Sequence, residues 1–278
     1  MIRDSDTNFL YLADCLPEFQ PAFTERLTKV LHDLKIPYDF LPNTKDIWAK
    51  DFMPIQMSKD DFVLFTYDPD YLKPLKYQHL RSDTDDVCRN IDLVPKKSSV
   101  VLDGGNIIRT ASKAIICAKV FSENQHLSKS QLTDALLGLL ETDQIIFIPW
   151  DRNDFTGHAD GMVRFVDDNT VLINEPTNEN PEIEKQLRSI LKDARLDIIE
   201  IPYMPSCDPT FVSAKGLHLN FLQMKQAIIV PLFNQSTDDK AIRLLENIFD
   251  GQKIVAMDCN EISVEGGVLN CISWNIFE

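Results

Sequence analysis

Five short segments recur along the chain at nearly even spacing, and this repetition constrains the fold more than any other feature. They are Trp48-Ala49-Lys50-Asp51, Leu102-Asp103-Gly104-Gly105-Asn106, Gly157-His158-Ala159-Asp160-Gly161, Leu217-His218-Leu219-Asn220-Phe221, and Glu265 to Cys271. Each joins a polar or glycine-bearing stretch to strand-like residues. With Asp51, Asp103, His158, Asn220 and Cys271 as markers, the steps are 52, 55, 62 and 51 residues. Five modules of about 55 residues would fill the 278 residues, and self-similarity at such a period points to a closed or solenoid-like array in place of one sheet.

Within a module, strands alternate with helices. Phe23, Leu27, Val30, Leu31 and Leu34 recur at helical spacing ahead of a strand near Tyr38 to Leu41. Leu127-Ser128-Lys129-Ser130, which offers a Ser cap candidate, leads into a helix from Leu132 to Leu140, followed by a strand from Gln144 to Pro149. Pro181 to Leu191 repeats the arrangement before a strand from Asp197 to Pro202. Asp238 to Ile248 does so again, with Thr237 or Asp238 able to cap, Gly251 able to terminate, and a strand from Lys253 to Met257. Met162 to Val166 and Thr170 to Asn174 flank Asp168-Asn169, a hairpin signal. The spacing predicts strand, hairpin, helix and strand in each module. That is an α/β chain forming a single domain over residues 1–278, with polar residues presented at one end of the modules.

Composition narrows the partners. Lys and Arg number 28 against 43 Asp and Glu, for a formal net charge of −15. Nucleic acid and anionic membrane both need a cationic face, so neither is expected as a partner. A small cation would be drawn to such a surface. The first residues show no basic stretch followed by an apolar one, so no secretory leader is expected. No apolar run reaches the ~18 residues of a membrane span. The six cysteines, Cys15, Cys88, Cys117, Cys207, Cys259 and Cys271, are scattered without a CxxC pair and read as free thiols. Five histidines with no paired spacing argue against a structural zinc site.

Taken singly, the recurring segments read as ordinary structure. An extended Gly157 to Gly161 would put His158 and Asp160 on one face, because side chains alternate. That pair suits a general acid/base beside a cation-holding carboxylate, a polar turn, or half of a metal site. Trp48 ahead of Asp51 suits a core edge beside a surface charge. The double glycine after Asp103 suits a turn or bulge, and it lacks the spacing of a dinucleotide or phosphate loop. Cys271 in an apolar strand is inert core or a nucleophile. Together the segments supply a thiol, a proton shuttle and paired carboxylates suited to a planar cation such as guanidinium. That chemistry needs no metal and no cofactor.

At these residues the chain resembles the agmatine deiminase and bacterial peptidyl-arginine deiminase family, within the guanidino-group-modifying superfamily. That family shows Trp-Ala-Arg-Asp, acid-Gly-Gly-Asn, Gly-His-x-Asp and a Gly-Gly stretch ending at Cys. Here they stand as Trp48-Ala49-Lys50-Asp51, Asp103-Gly104-Gly105-Asn106, Gly157-His158-Ala159-Asp160 and Gly266-Gly267-Val268-Leu269-Asn270-Cys271. The order is kept across nearly the whole chain. Three positions depart: Lys50 where Arg is usual, Asp103 where Glu is common, and Asn270 where agmatine deiminases often have His.

The resemblance implies a five-bladed pseudo-symmetric α/β propeller, the pentein fold, with its site at the centre. It implies catalytic roles for Cys271, His158, Asp160, Asp51 and Asp103, and substrate contacts from Trp48, Asn220 and Asn106. In the hydrolytic deimination so implied, Asp51 and Asp160 hold the guanidinium nitrogens and Trp48 walls the cation. Cys271 attacks as thiolate, and His158, oriented by Asp103, serves departing ammonia, leaving a covalent thiouronium. The expected reaction takes agmatine to N-carbamoylputrescine and ammonia in the cytoplasm. The alternatives are a deiminase of arginine, methylated arginine or peptidyl-arginine, an amidinotransferase, and a catalytically silent guanidino-binding protein. Homo-oligomerisation is left open.

Overall fold

The structure is a computed structural model and describes residues 1–177, 179–206 and 213–278. Its strands form five separate three-stranded sheets. The first blade pairs β1 (Phe9–Ala13) with the parallel β2 (Tyr38–Leu41) through helix Pro21–Asp33. The next holds β3 (Ile55–Gln56), β4 (Phe62–Thr66) and β5 (Lys96–Val101), and a third holds β6 (Ile107–Arg109), β7 (Lys113–Cys117) and β8 (Gln144–Ile148). Then come β9 (Val163–Phe165), β10 (Thr170–Asn174) and β11 (Asp197–Ile201), and finally β12 (Leu222–Gln223), β13 (Ile228–Leu232) and β14 (Ile254–Asp258). The last strand, β15 (Ser273–Ile276), runs antiparallel to β1 and completes the first blade.

Every blade repeats one plan. In four blades a short strand turns back antiparallel into the central strand, a place that the C-terminal β15 takes in the first, and a helical crossover leads to a third strand parallel to the centre. The expected hairpin, helix and strand are present. The additional leading strand is not: each blade has three strands. The crossover helices fall where the apolar period put them, at Lys129–Leu140, Pro181–Asp193 and Asp238–Ile248. Ser128 caps the first in a reciprocal box with Gln131.

Strand alternation explains why the array is a ring. A central strand is apolar on both faces, so each face needs a neighbour. In β7, Ala114 and Ile116 pack towards the second blade, while Ile115 and Cys117 pack towards the fourth. In β13, Ile228 and Val230 pack against the fourth blade, while Ile229 meets Leu10 and Leu12 of the first. Leu41, Trp274 and Ile276 of the first blade meet Phe62 of the second. The described residues thus form five apolar clusters, one between each pair of neighbouring blades, and the ring of blades closes on itself. The result is a five-bladed α/β propeller.

The short leading strands line the centre, where they contact one another across blades. Arg164 donates to the Phe221 carbonyl at 2.5 Å, and Asn275 donates to the Gln223 carbonyl at 3.3 Å. The five recurring segments each end just before such a strand, so all five converge on one end of the axis.

Cys15, Cys88, Cys117, Cys259 and Cys271 are free thiols. Cys207 lies outside the described residues. Among those residues, no helix is long and apolar enough to cross a membrane.

Candidate active site

The recurring segments are not strands but tight turns. Ala49–Phe52 is one turn of α-helix, and Gly104–Asn106 and Ala159–Gly161 are single 3-10 turns. The 3-10 turn that follows His158 sends side chains two residues apart in different directions, which corrects the shared-face expectation for His158 and Asp160. His158, in extended backbone, turns towards Asp51 and Asp103, whereas Asp160 turns towards Cys271.

The His158 imidazole is held at both nitrogens. Nε2 lies 3.0 Å from Asp103 Oδ2 and Nδ1 lies 3.5 Å from Asp51 Oδ1. Two carboxylates on one buried ring favour the imidazolium. Burial opposes the charge, but Asp51 and Asp103 outweigh it and raise the His158 pKa to about 10. Burial, with Asp103 and Asp160 adding repulsion against the pull of His158, raises Asp51 to about 7.

Cys271 is fixed through its backbone. Its N–H donates to Asn220 Oδ1 at 3.4 Å and its carbonyl accepts from the Lys50 N–H at 3.1 Å. Sγ is then 3.3 Å from Asn220 Oδ1 and 3.6 Å from Asp160 Oδ2. Asp160 Oδ2 also accepts from Asn220 Nδ2 at 3.1 Å and Asn270 Nδ2 at 2.8 Å. Asn270, absent from the expected site set, therefore helps to aim Asp160 at the thiol. Burial, then Asp160 and Asp51, push the Cys271 pKa well above its ordinary value. A cation held between those carboxylates would reverse that push and favour the thiolate.

Two acceptors remain for such a cation. Asp51 Oδ1 takes the Gly105 N–H at 3.1 Å, and Asp160 Oδ2 takes the two amides, while the second oxygen of each has no donor among the described residues. Asp103 Oδ1 is buried and also without a partner. Oriented carboxylate oxygens around a thiol suit the in-plane N–H groups of guanidinium.

Glycines permit this density. A Cβ on Gly105 would lie 2.6 Å from Asp51 Oδ1 and 2.7 Å from His158 Nδ1. A Cβ on Gly267 would lie 2.6 Å from the Trp48 ring and 3.0 Å from Cys271 Cβ. Gly266 has a φ of +99°, open to glycine at little cost. The pair thus turns the chain and lets the Trp48 face lie beside the thiol.

Cys271, His158, Asp160, Asp51, Asp103, Trp48 and Asn220 are brought together. Asn106 is not: its Oδ1 accepts the Cys117 N–H at 2.7 Å, so the side chain anchors the end of β7. Tyr71 joins the group without having been expected. Its hydroxyl donates to Asp103 Oδ2 at 3.1 Å, and its ring stands edge-on to His158 at 6.4 Å. Tyr71 lies in the 3-10 turn Asp70–Leu72, which belongs to no recurring motif, so only the fold shows its place.

Comparison with known proteins agrees with this fold. Agmatine deiminase of Medicago truncatula is 28% identical over 221 residues, a stretch covering 66% of this chain and 59% of that protein. The chain thus spans about three fifths of that relative's length. Agmatine deiminase of C. jejuni superposes with a TM-score of 0.81 at 20% identity, covering 100% of this chain and 95% of that one. DDAH from Pseudomonas aeruginosa superposes with a TM-score of 0.60 at 12% identity, over 97% and 99% of the two chains. At such identities the solved structures speak to the fold, and the fold is shared. The match that carries the assignment is to the family model of the Porphyromonas-type peptidyl-arginine deiminases, which takes in residues 19–276 and so every segment that builds the site. The chain belongs to that family.

Proposed function

We propose that the protein hydrolyses the guanidino group of a small cation, with agmatine as substrate and N-carbamoylputrescine and ammonia as products. The observation that carries the reading is Cys271 Sγ beside Asp160 and Asn220, within the same cluster as a His158 held between Asp51 and Asp103. Asp51 and Asp160 pair with the guanidinium nitrogens, while Trp48 covers its flank. The bound cation stabilises the Cys271 thiolate, which attacks the guanidino carbon. The C–N bond breaks as His158 passes its proton to the leaving nitrogen, and ammonia departs from a covalent thiouronium. Water then adds to the same carbon and gives a proton to His158. The C–S bond breaks, the thiolate returns, and the ureido product leaves. The acidic surface and the name of the Medicago truncatula relative support a small cation. A cytoplasmic setting accords with a free thiol as nucleophile.

The test measures ammonia and ureido product with agmatine, arginine, methylated arginines and an arginyl peptide. Wild type is expected to turn over agmatine with the highest kcat/KM, and Cys271→Ala to fold yet turn over nothing. Folded wild-type protein that releases no ammonia from any of them would overturn the hydrolase reading. Turnover that requires an added amine would make the protein a transferase.

A further inference from the structure

A second cluster of buried charge lies behind this site, on the other side of the strands that line the centre. Lys50, Arg109 and Arg164 each have side chains 6% exposed, and all three approach Asp4 of the N-terminal turn, at 3.8, 3.4 and 2.9 Å. Burial alone would raise the Asp4 carboxyl, but Lys50, Arg109 and Arg164 outweigh it and hold the group well below the usual carboxylate range. The other charges nearby do not balance the three cations. Arg3 is paired with Asp6 at 2.8 Å. Asp160 acts on Lys50 and Arg164 from the catalytic side. Asp167 and Asp168 line the rim and are exposed to water. Three buried cations therefore share the buried Asp160 and the partly exposed Asp4, although buried charge ordinarily needs a full set of partners.

The guanidinium groups are partly satisfied by backbone. Arg109 Nε donates to the Ile2 carbonyl at 2.8 Å, and Arg164 Nη1 donates to the Phe221 carbonyl at 2.5 Å. Lys50 differs. Its ammonium makes no hydrogen bond to any described residue, and it faces a cavity of about 90 Å³ that Arg109 and Arg164 also line. That space suits one small ion and is far below the several hundred Å³ of an organic-ligand pocket.

We propose that this cavity binds a small oxyanion of the inorganic phosphate class, which accepts from Lys50 Nζ and supplies negative charge beside Arg109 and Arg164. Guanidinium forks and an ammonium are the usual partners of a tetrahedral oxyanion. Asp4 is the internal competitor, since its carboxylate already lies against the same three cations.

Thermal unfolding of the full chain without substrate tests this apart from the deiminase reading. Sodium phosphate is titrated against sodium chloride at constant ionic strength. The wild-type Tm is expected to rise in a saturable way, as it does for any ligand of the native state. Lys50→Met is expected to lose the saturable part, and Lys50→Arg to keep it. Asp4→Asn is expected to start from a lower Tm and to half-saturate at about tenfold less phosphate, because the competing carboxylate is gone. No saturable rise in wild type overturns the proposal. So does an equal rise in Lys50→Met, which would be the general effect of an excluded salt. If Lys50→Met does not fold, Asp4→Asn decides: no gain in phosphate affinity overturns the proposal.

Discussion

His158 and Asp51 set the pH range in which the site can work. Asp51 must be ionised to hold a cation, and its pKa is raised to about 7, so binding weakens as pH falls through that value. His158 must carry a proton for the leaving nitrogen, and its pKa is raised to about 10, so that step fails as pH rises through it. A profile of kcat/KM against pH is expected to be a bell with limbs near these values, belonging to the cluster because its members titrate together. Asp103 holds the imidazolium by hydrogen bond and charge. Asp103→Asn should therefore move the basic limb to lower pH and reduce kcat by about 10²-fold, the usual scale of one proton-transfer contribution. An unmoved basic limb would show that Asp103 does not act through His158. These residues were legible in the sequence because each sits in a short motif. Asn106 shared a motif with Asp103 but points to the backbone of Cys117, a direction that motif membership alone does not give.

At the level of elements, the site depends on turns packed closer than side chains allow. Gly267→Ala would drive a methyl group into the Trp48 ring and against Cys271. The expected result is a fall in kcat/KM of about 10²-fold, the scale of a 1 Å misplacement, with a Tm close to wild type. Near-wild-type kinetics would mean that Trp48 is free to give way and does not wall the substrate. The crossover helices were visible in advance because their apolar period spans several turns. Of the strands lining the centre, Val163–Phe165 was visible through its hairpin signal, whereas Ile55–Gln56 and Leu222–Gln223 are two residues long and cannot show alternation. The recurring segments were read as strand-like for the same reason: a single helical turn before so short a strand leaves no period to detect.

Across the whole molecule, the five-fold repeat predicted an array, while ring closure depends on a pairing that leaves no local trace. β15 joins β1 from the opposite end of the chain, with Leu12 opposite Ser273 and Phe9 opposite Ile276. Trp274 secures that joint: it is 4% exposed, packs on Tyr11 and Phe62, and donates to the Pro54 carbonyl at 2.8 Å. Trp274→Ala should cost ~3–5 kcal/mol of stability, the range for deleting a buried aromatic ring. Urea denaturation measures this, and a loss below ~1 kcal/mol would show that the first blade does not depend on its closing strand. Closure matters for chemistry because it delivers Cys271, the residue preceding β15 by two positions, to Asp160 of the blade across the ring. The proposed chemistry depends on that delivery. Its most direct test is the intact mass of wild-type protein acid-quenched during turnover of agmatine, with the modified peptide then mapped. The expected result is a mass gain of the substrate less ammonia, confined to Cys271 and absent from Cys271→Ala. Ureido product formed by Cys271→Ala, or an adduct mapped to any other residue, would contradict it.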